Sequence, residues 1–195
     1  MWIFKWKRNG KVKEYNYNGN VEFEGEYLNG KRNGKGKEYN YNGKLIFEGE
    51  YLYGNRLKGK QYINEQLEYE GEYLYNKKWN GKGYEDGNII YELKNGNGKV
   101  KEYYKDELKF EGEYLNGKKN GKGKEYDYFS GKLVFEDEYL NGKINGKGKE
   151  YFFGKLTFEG EYLNGKKNGK GKEYDYDGRL IFEGEYLNGE KRATK

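Results

Sequence analysis

Apolar and polar residues alternate with a period of two in short runs along the chain. Phe23-x-Gly25-x-Tyr27 and Lys35-x-Lys37-x-Tyr39 are the first pair, and such alternation predicts half-buried β-strands. Helical spacing is absent, and glycines every few residues would each cost a helix about 1 kcal/mol. The segment Phe23-Glu-Gly-Glu-Tyr-Leu28 returns at Phe47, Tyr69, Phe110, Phe135, Phe158 and Phe182, at intervals of 24, 22, 41, 25, 23 and 24 residues. A worn copy around Tyr91-Glu92-Leu93 divides the longest interval, which leaves a period of about 23 residues. Each copy continues as Asn-Gly-Lys-Lys/Arg-Asn-Gly-Lys-Gly-Lys-Glu-Tyr, for example over 116–126, and residues 9–15 read as a half repeat before the first full copy. The pattern predicts an all-β fold: an elongated, single antiparallel β-meander of about eight stacked hairpin repeats, twisted and curved.

Turn chemistry supplies a register. Asn18-Gly19, Asn42-Gly43 and Asp177-Gly178 suit two-residue type I′ turns, which need positive φ at both central residues. Counting back from Asn42-Gly43 pairs Lys37 with Glu48, Lys35 with Glu50 and Gly36 with Gly49. The same count pairs Lys13 with Glu24, Lys11 with Glu26, Lys172 with Glu183 and Lys170 with Glu185. If residues 29–32 form a four-residue loop, Glu24 also faces Lys37 and Glu26 faces Lys35. One face is then a lattice of alternating Lys and Glu, each opposed pair contributing about 0.2–1 kcal/mol. The other face collects aromatic rings beside glycines. The expected organisation is a half repeat and cap over 1–22, the array over 23–189 with a degenerate stretch at 54–100, and a tail over 190–195. Trp2, Phe4 and Trp6 read as the cap.

Composition narrows the function. A chain that is 33% hydrophobic and 36% charged resembles a disordered one, but 19% aromatic content and the absence of proline oppose that. Without Cys or His, disulfides, thiolate metal sites, catalytic triads and thiol nucleophiles are excluded. No single carboxylate stands apart from the lattice as a general acid. The expectation is no enzyme and no cofactor. The net charge of +5 is too mild to argue for nucleic acid. No apolar run approaches the roughly 20 residues needed to span a bilayer, and the Lys-interrupted N-terminus does not read as a signal peptide. A cytoplasmic protein, or one peripheral to a membrane, is expected.

Asn42-Gly-Lys-Leu-Ile-Phe-Glu-Gly-Glu-Tyr-Leu52 and Gly165-Lys-Lys-Asn-Gly-Lys-Gly-Lys-Glu-Tyr174 resemble MORN repeats, in the variant with Asn-Gly-Lys-Leu before the Glu-Gly-x-Tyr core. The resemblance covers about residues 9 to 189. It implies an elongated, twisted antiparallel sheet that is non-catalytic and mediates protein contacts, self-association or binding of anionic phospholipid. The chain departs from the pattern at Asp137, where other copies have glycine, and at Tyr53-Gly54, where the Asn-Gly pair is lost.

Two surfaces emerge as candidates. The aromatic face (Phe23, Tyr27, Phe47, Tyr51, Phe110, Tyr114, Phe158, Tyr162, Phe182 and Tyr186) is expected to bind an unknown protein partner or a second copy, because an exposed aromatic strip marks an interaction site. The alternative is contact with anionic phospholipid through basic loop tips, Lys31-Arg32, Lys118-Lys119 and Lys166-Lys167, with Lys77-Lys78 at the equivalent turn. These pairs would recur every two strands, about 9–10 Å apart, each residue contributing about 1 kcal/mol near an acidic bilayer.

Overall fold

The alternating runs form strands, and those strands pair in sequence order. The computed structural model describes residues 7–104 and 106–192, so the expected cap of Trp2, Phe4 and Trp6 lies outside the described residues. The chain divides into two units, Met1–Asn95 and Gly96–Lys195. The first contains β1 (Gly10–Tyr15), β2 (Val21–Leu28), β3 (Lys31–Tyr39), β4 (Leu45–Leu52), β5 (Asn55–Ile63), β6 (Gln66–Leu74), β7 (Lys77–Glu85) and β8 (Asn88–Lys94). The second contains β9 (Asn97–Tyr104), β10 (Glu107–Leu115), β11 (Lys118–Tyr126), β12 (Leu133–Leu140), β13 (Lys143–Phe152), β14 (Lys155–Leu163), β15 (Lys166–Tyr174), β16 (Leu180–Leu187) and β17 (Glu190–Lys191). Within each unit every strand pairs antiparallel with the next, a plain meander. Among the described residues there is no helix.

The Lys–Glu register is as the sequence predicts. Lys37 pairs with Glu48, Lys35 with Glu50 and Gly36 with Gly49. Lys13 pairs with Glu24 and Lys11 with Glu26, and Lys172 with Glu183 and Lys170 with Glu185. The two turn types, however, are exchanged relative to expectation. Asn29-Gly30 is the tight turn, with φ of 53° and 80° and Leu28 paired with Lys31, so Lys31 and Arg32 belong to β3 and not to a loop. Asn42-Gly43 instead lies in a longer loop over 40–44. Its Asn40 Oδ1 accepts the N–H groups of Asn42 and Lys44 at 3.0 Å each, and only Gly43 of the pair has positive φ. The side chain of Asn40 adds to the backbone closure of this loop, in which Asn40 N–H donates to Lys44 O at 2.8 Å and Gly43 N–H to Asn40 O at 2.9 Å. Two bulges reconcile these turns with the register. Ile46 is an extra residue between the pairs Glu38–Phe47 and Tyr39–Leu45. Asn33, Gly34 and Lys35 lie opposite Glu26 alone, so Lys35 does not face Glu26 but donates its N–H to Glu26 Oε2 at 3.1 Å.

Tight turns are tied to the chain just beyond the preceding one. Gly30 N–H donates to Arg8 O at 2.9 Å and Gly54 N–H to Arg32 O at 2.8 Å. Beside them, Asn29 N–H donates to Asn9 Oδ1 at 2.8 Å. The second unit repeats this at Gly142, Gly165 and Gly189. The Asn of each Asn33-Gly34 type pair thus binds a neighbouring turn instead of forming one. In the stretch 54–100, where Asn-Gly pairs are scarce, tight turns persist at Tyr53-Gly54, Asn64-Glu65, Tyr75-Asn76 and Asp86-Gly87, all with positive φ.

The aromatic face is the core. Phe23, Phe47 and Phe110 are 0% exposed and Phe158 1%. Each ring lies flat over a glycine pair: a Cβ at Gly36 would stand 2.6 Å from Phe23 Cζ, and one at Gly171 2.7 Å from Phe158 Cζ. Tyr51 meets Phe23 edge-on at 5.4 Å, and Tyr186 meets Phe158 likewise.

Candidate functional site

The expected open aromatic strip does not exist, because the structure closes it. Phe23, Phe47, Phe110 and Phe158 have no usable surface, Tyr27, Tyr51, Tyr162 and Tyr186 are buried, and Tyr114 and Phe182 are half-buried. What covers the rings is the second residue of each basic pair. Tyr27 pairs with Arg32, Tyr114 with Lys119 and Tyr162 with Lys167, which places these cations on the aromatic face. The Arg32 guanidinium carbon stands 4.0 Å from the Phe23 ring centre, and Lys119 and Lys167 Nζ stand 4.0 and 3.8 Å from Phe110 and Phe158. A desolvated cation over an aromatic ring contributes up to about 2 kcal/mol. Arg32, Lys119 and Lys167 are therefore part of the core and leave the expected basic row.

A half-buried glutamate completes the regular module. The count that pairs Lys37 with Glu48 also pairs Glu38 with Phe47, on the aromatic side. Tyr51 O–H donates to Glu38 at 2.7 Å, and Arg56 donates to both Glu38 oxygens, the shorter contact being 2.6 Å. Burial alone would raise the Glu38 carboxyl, but the Arg56 hydrogen bond and charge, with Tyr51 and Arg32, overcome it and hold it below the usual range. Burial, then the Glu38 charge, push the Tyr51 phenol up. Tyr162 donates to Glu150 at 2.6 Å and Lys167 to the same carboxylate at 3.0 Å. Tyr186 and Lys191 treat Glu173 alike, at 2.7 and 2.6 Å. These glutamates were not singled out from the sequence, although their direct pairing with Phe was implicit in the register.

Three repeats depart from the module. At Gln61 and Gly83 the inward Glu is missing, and Glu68, the extra residue of a bulge, turns inward instead. Lys78 Nζ lies 2.6 and 2.7 Å from its two oxygens and Tyr91 O–H donates to it at 2.8 Å. In the second unit Asp137 replaces glycine and Ile144 replaces the cation opposite Tyr139. Asp137 Oδ1 accepts Lys149 N–H at 3.1 Å while its buried Oδ2 has no hydrogen-bond partner. Burial pushes its carboxyl up to about 7, helped by Glu125 and Glu150. Phe135, deprived of the glycine floor, is only half-buried.

The open side is the Lys–Glu lattice. In the first unit a groove of about 780 Å³ runs across the strands, with Lys13, Glu24, Lys37 and Glu48 along one wall and Lys11, Glu26, Lys35 and Glu50 along the other. The second unit has a counterpart of about 720 Å³ lined by Lys147, Glu159, Glu161, Lys170 and Lys172 among others. Its ion pairs, 3.1 Å for Lys13–Glu24 and 3.6 Å for Lys37–Glu48, are open to solvent, so each contributes little. Tyr39 and Tyr62 donate to Glu24 and Glu48 from the same side at 2.7 Å, and burial with these carboxylates pushes both phenols up to about 12. Among the described residues no cluster of three or more acidic groups could hold a metal ion, and no helix is long and apolar enough to cross a membrane.

Sequence comparison agrees with this architecture. The family described as MORN repeat matches residues 23–44, 110–128, 138–155 and 158–178. Four segments of the chain are MORN repeats. The hairpin pattern of these segments continues through β5, β6 and β7, which the family match does not include. MORN repeats are generally non-enzymatic scaffolds for protein and membrane interaction. No curated protein sequence matches the chain.

Proposed function

We propose that this chain is a non-enzymatic scaffold that engages a protein partner with its Lys–Glu face, not with the aromatic face. The observation that carries the proposal is the contrast between the sides: the aromatic side is closed by its own cations, whereas the lattice side presents a groove in each unit. A photo-crosslinking amino acid in place of Lys37 or Lys170, with one at Asn42 on the loop edge as control, tests it in cells that express the protein natively. Adducts are expected from Lys37 and Lys170. Adducts from Asn42 alone would refute the reading.

A second reading, contact with anionic phospholipid, draws support from one feature. Lys31, Lys118 and Lys166, the first residues of the basic pairs, are exposed and lie next to the tight turns. The row is one cation per repeat, half of what the sequence suggests. Sedimentation with acidic and with neutral vesicles at low salt checks it, and equal binding to both would exclude it.

A further inference from the structure

On the lattice face one position per repeat is apolar and exposed. Leu115, Leu140, Leu163 and Leu187, each the last residue of its strand, are 43 to 51% exposed. Each follows the inward Tyr of its repeat, so by strand alternation it shares the face of the lattice glutamates. Opposite the first three, across the tight turns, stand Lys118, Lys143 and Lys166. All three lysines are exposed. The result is a stripe that alternates Leu and Lys from strand to strand, and its leucines recur every two strands, about 9–10 Å apart. The first unit has exposed leucines at Leu28, Leu52 and Leu74, 41 to 49% exposed, with Lys31 and Lys77 opposite the outer two and Asn55 opposite Leu52.

We propose that this Leu–Lys stripe is the docking site for an acidic amphipathic α-helix of a protein partner, running across the strands with one apolar residue per heptad on each leucine. The inference rests on the scaffold reading above and names the partner's chemistry. Seven residues of helix advance about 10.5 Å, so a helix laid along the stripe departs from the leucine spacing by only about 1 Å per repeat. An extended strand repeats its side chains on one face every 6.8 Å or so and falls out of step after one repeat. Acidic residues flanking the heptad positions would answer the lysines, as flanking charges do in coiled coils. An acidic bilayer fits less well. Two residues before each leucine stand Glu113, Glu138, Glu161 and Glu185 on the same face, about 7 Å away along the strand. A flat layer of phosphates would meet these carboxylates, whereas a helix about 10 Å wide need cover only the stripe.

The test uses the full chain and a fluorescein-labelled peptide of about four heptads, with Leu at one position of each heptad and Glu at the flanking ones. A second peptide carries Lys for Glu, and vesicles of acidic phospholipid form a third arm. Anisotropy should show binding of the acidic peptide, weakened about tenfold or more by Leu140→Asp with Leu163→Asp and by Lys143→Glu with Lys166→Glu. These positions are exposed, and unchanged thermal unfolding of both variants would confirm intact folding. Equal binding of the basic peptide, or indifference to both variants, overturns the proposal. So does a stripe that proves necessary for vesicle capture or for self-association in sedimentation but not for peptide binding. Failure here would leave crosslinking from Lys37 and Lys170 as a separate measure of the scaffold reading.

Discussion

The Tyr51 phenol donates a 2.7 Å hydrogen bond to Glu38, one strand away, inside the aromatic layer. The same carboxylate takes two contacts from Arg56, whose guanidinium lies 4.2 Å from the Phe47 ring centre. Ring, cation, carboxylate and phenol are thus one unit, repeated along the array. A sheet with a single layer has no second layer to bury its aromatic side, and these charged side chains, paired among themselves, take that role.

Removing different members of this unit should therefore cost different amounts. Tyr51→Phe deletes one hydrogen bond but leaves Glu38 with Arg56, and should destabilise by about 1 kcal/mol. Glu38→Ala leaves the half-buried Arg56 without its main partner, and should cost about 3 kcal/mol. Urea unfolding of the two variants measures the difference, and a smaller loss for Glu38→Ala than for Tyr51→Phe would contradict this account.

Glycines in the same repeat should lose different amounts of stability to a methyl group, for different reasons. A Cβ at Gly36 would meet Phe23 Cζ at 2.6 Å, while one at Gly43 meets nothing within 4 Å but sits at φ +77°. Gly36→Ala must displace a fully buried ring and is expected to lose about 3 kcal/mol or more. Gly43→Ala carries only backbone strain, about 1–2 kcal/mol. Thermal melts under identical conditions order them.

Asp137 gives the protein a pH dependence. Its carboxyl, ordinarily near 3.8, is pushed up to about 7 by burial and the nearby glutamates. Between about pH 4 and 7 the folded state holds a proton that the unfolded chain has released, so stability falls as pH rises through that window and levels off above it. The loss is on the order of 4 kcal/mol at most. Asp137→Gly should remove this slope and raise stability at pH 8, and adding Ile144→Lys should restore the cation found in other repeats. Equilibrium unfolding at pH 5 and pH 8 gives the comparison; an unchanged slope in Asp137→Gly would assign it to other groups.

The repeat, the β-class and the Lys–Glu register are legible in the sequence because each follows from a period of two and a fixed repeat length. The turn types are not. Asn-Gly occurs at Asn29, Asn33 and Asn42 within one repeat, and the dipeptide does not say which copy closes a hairpin, which binds a neighbouring turn and which lies in a loop capped by Asn40. That choice places Arg32 in a strand and points it inward, so the error in the turn became an error in the basic row. Leu28 was readable in principle: it follows Glu24 and Glu26 by strict alternation, on the open face.

Lys166 and Lys167 adjoin in sequence but should behave as unrelated residues. Lys166 is exposed beside the tight turn, while Lys167 Nζ is 3.8 Å from the Phe158 ring centre and 3.0 Å from Glu150 Oε2. Lys166→Glu is expected to change stability by no more than about 0.5 kcal/mol. Lys167→Glu would bring a second carboxylate against Glu150 and the negative face of Phe158, for a loss of about 3–5 kcal/mol. Lys167→Met keeps the length without the charge and leaves Glu150 with Tyr162 alone, so it should fall between the two. Thermal unfolding of the three variants reads this order directly, and equal effects of Lys166→Glu and Lys167→Glu would mean that both side chains face solvent.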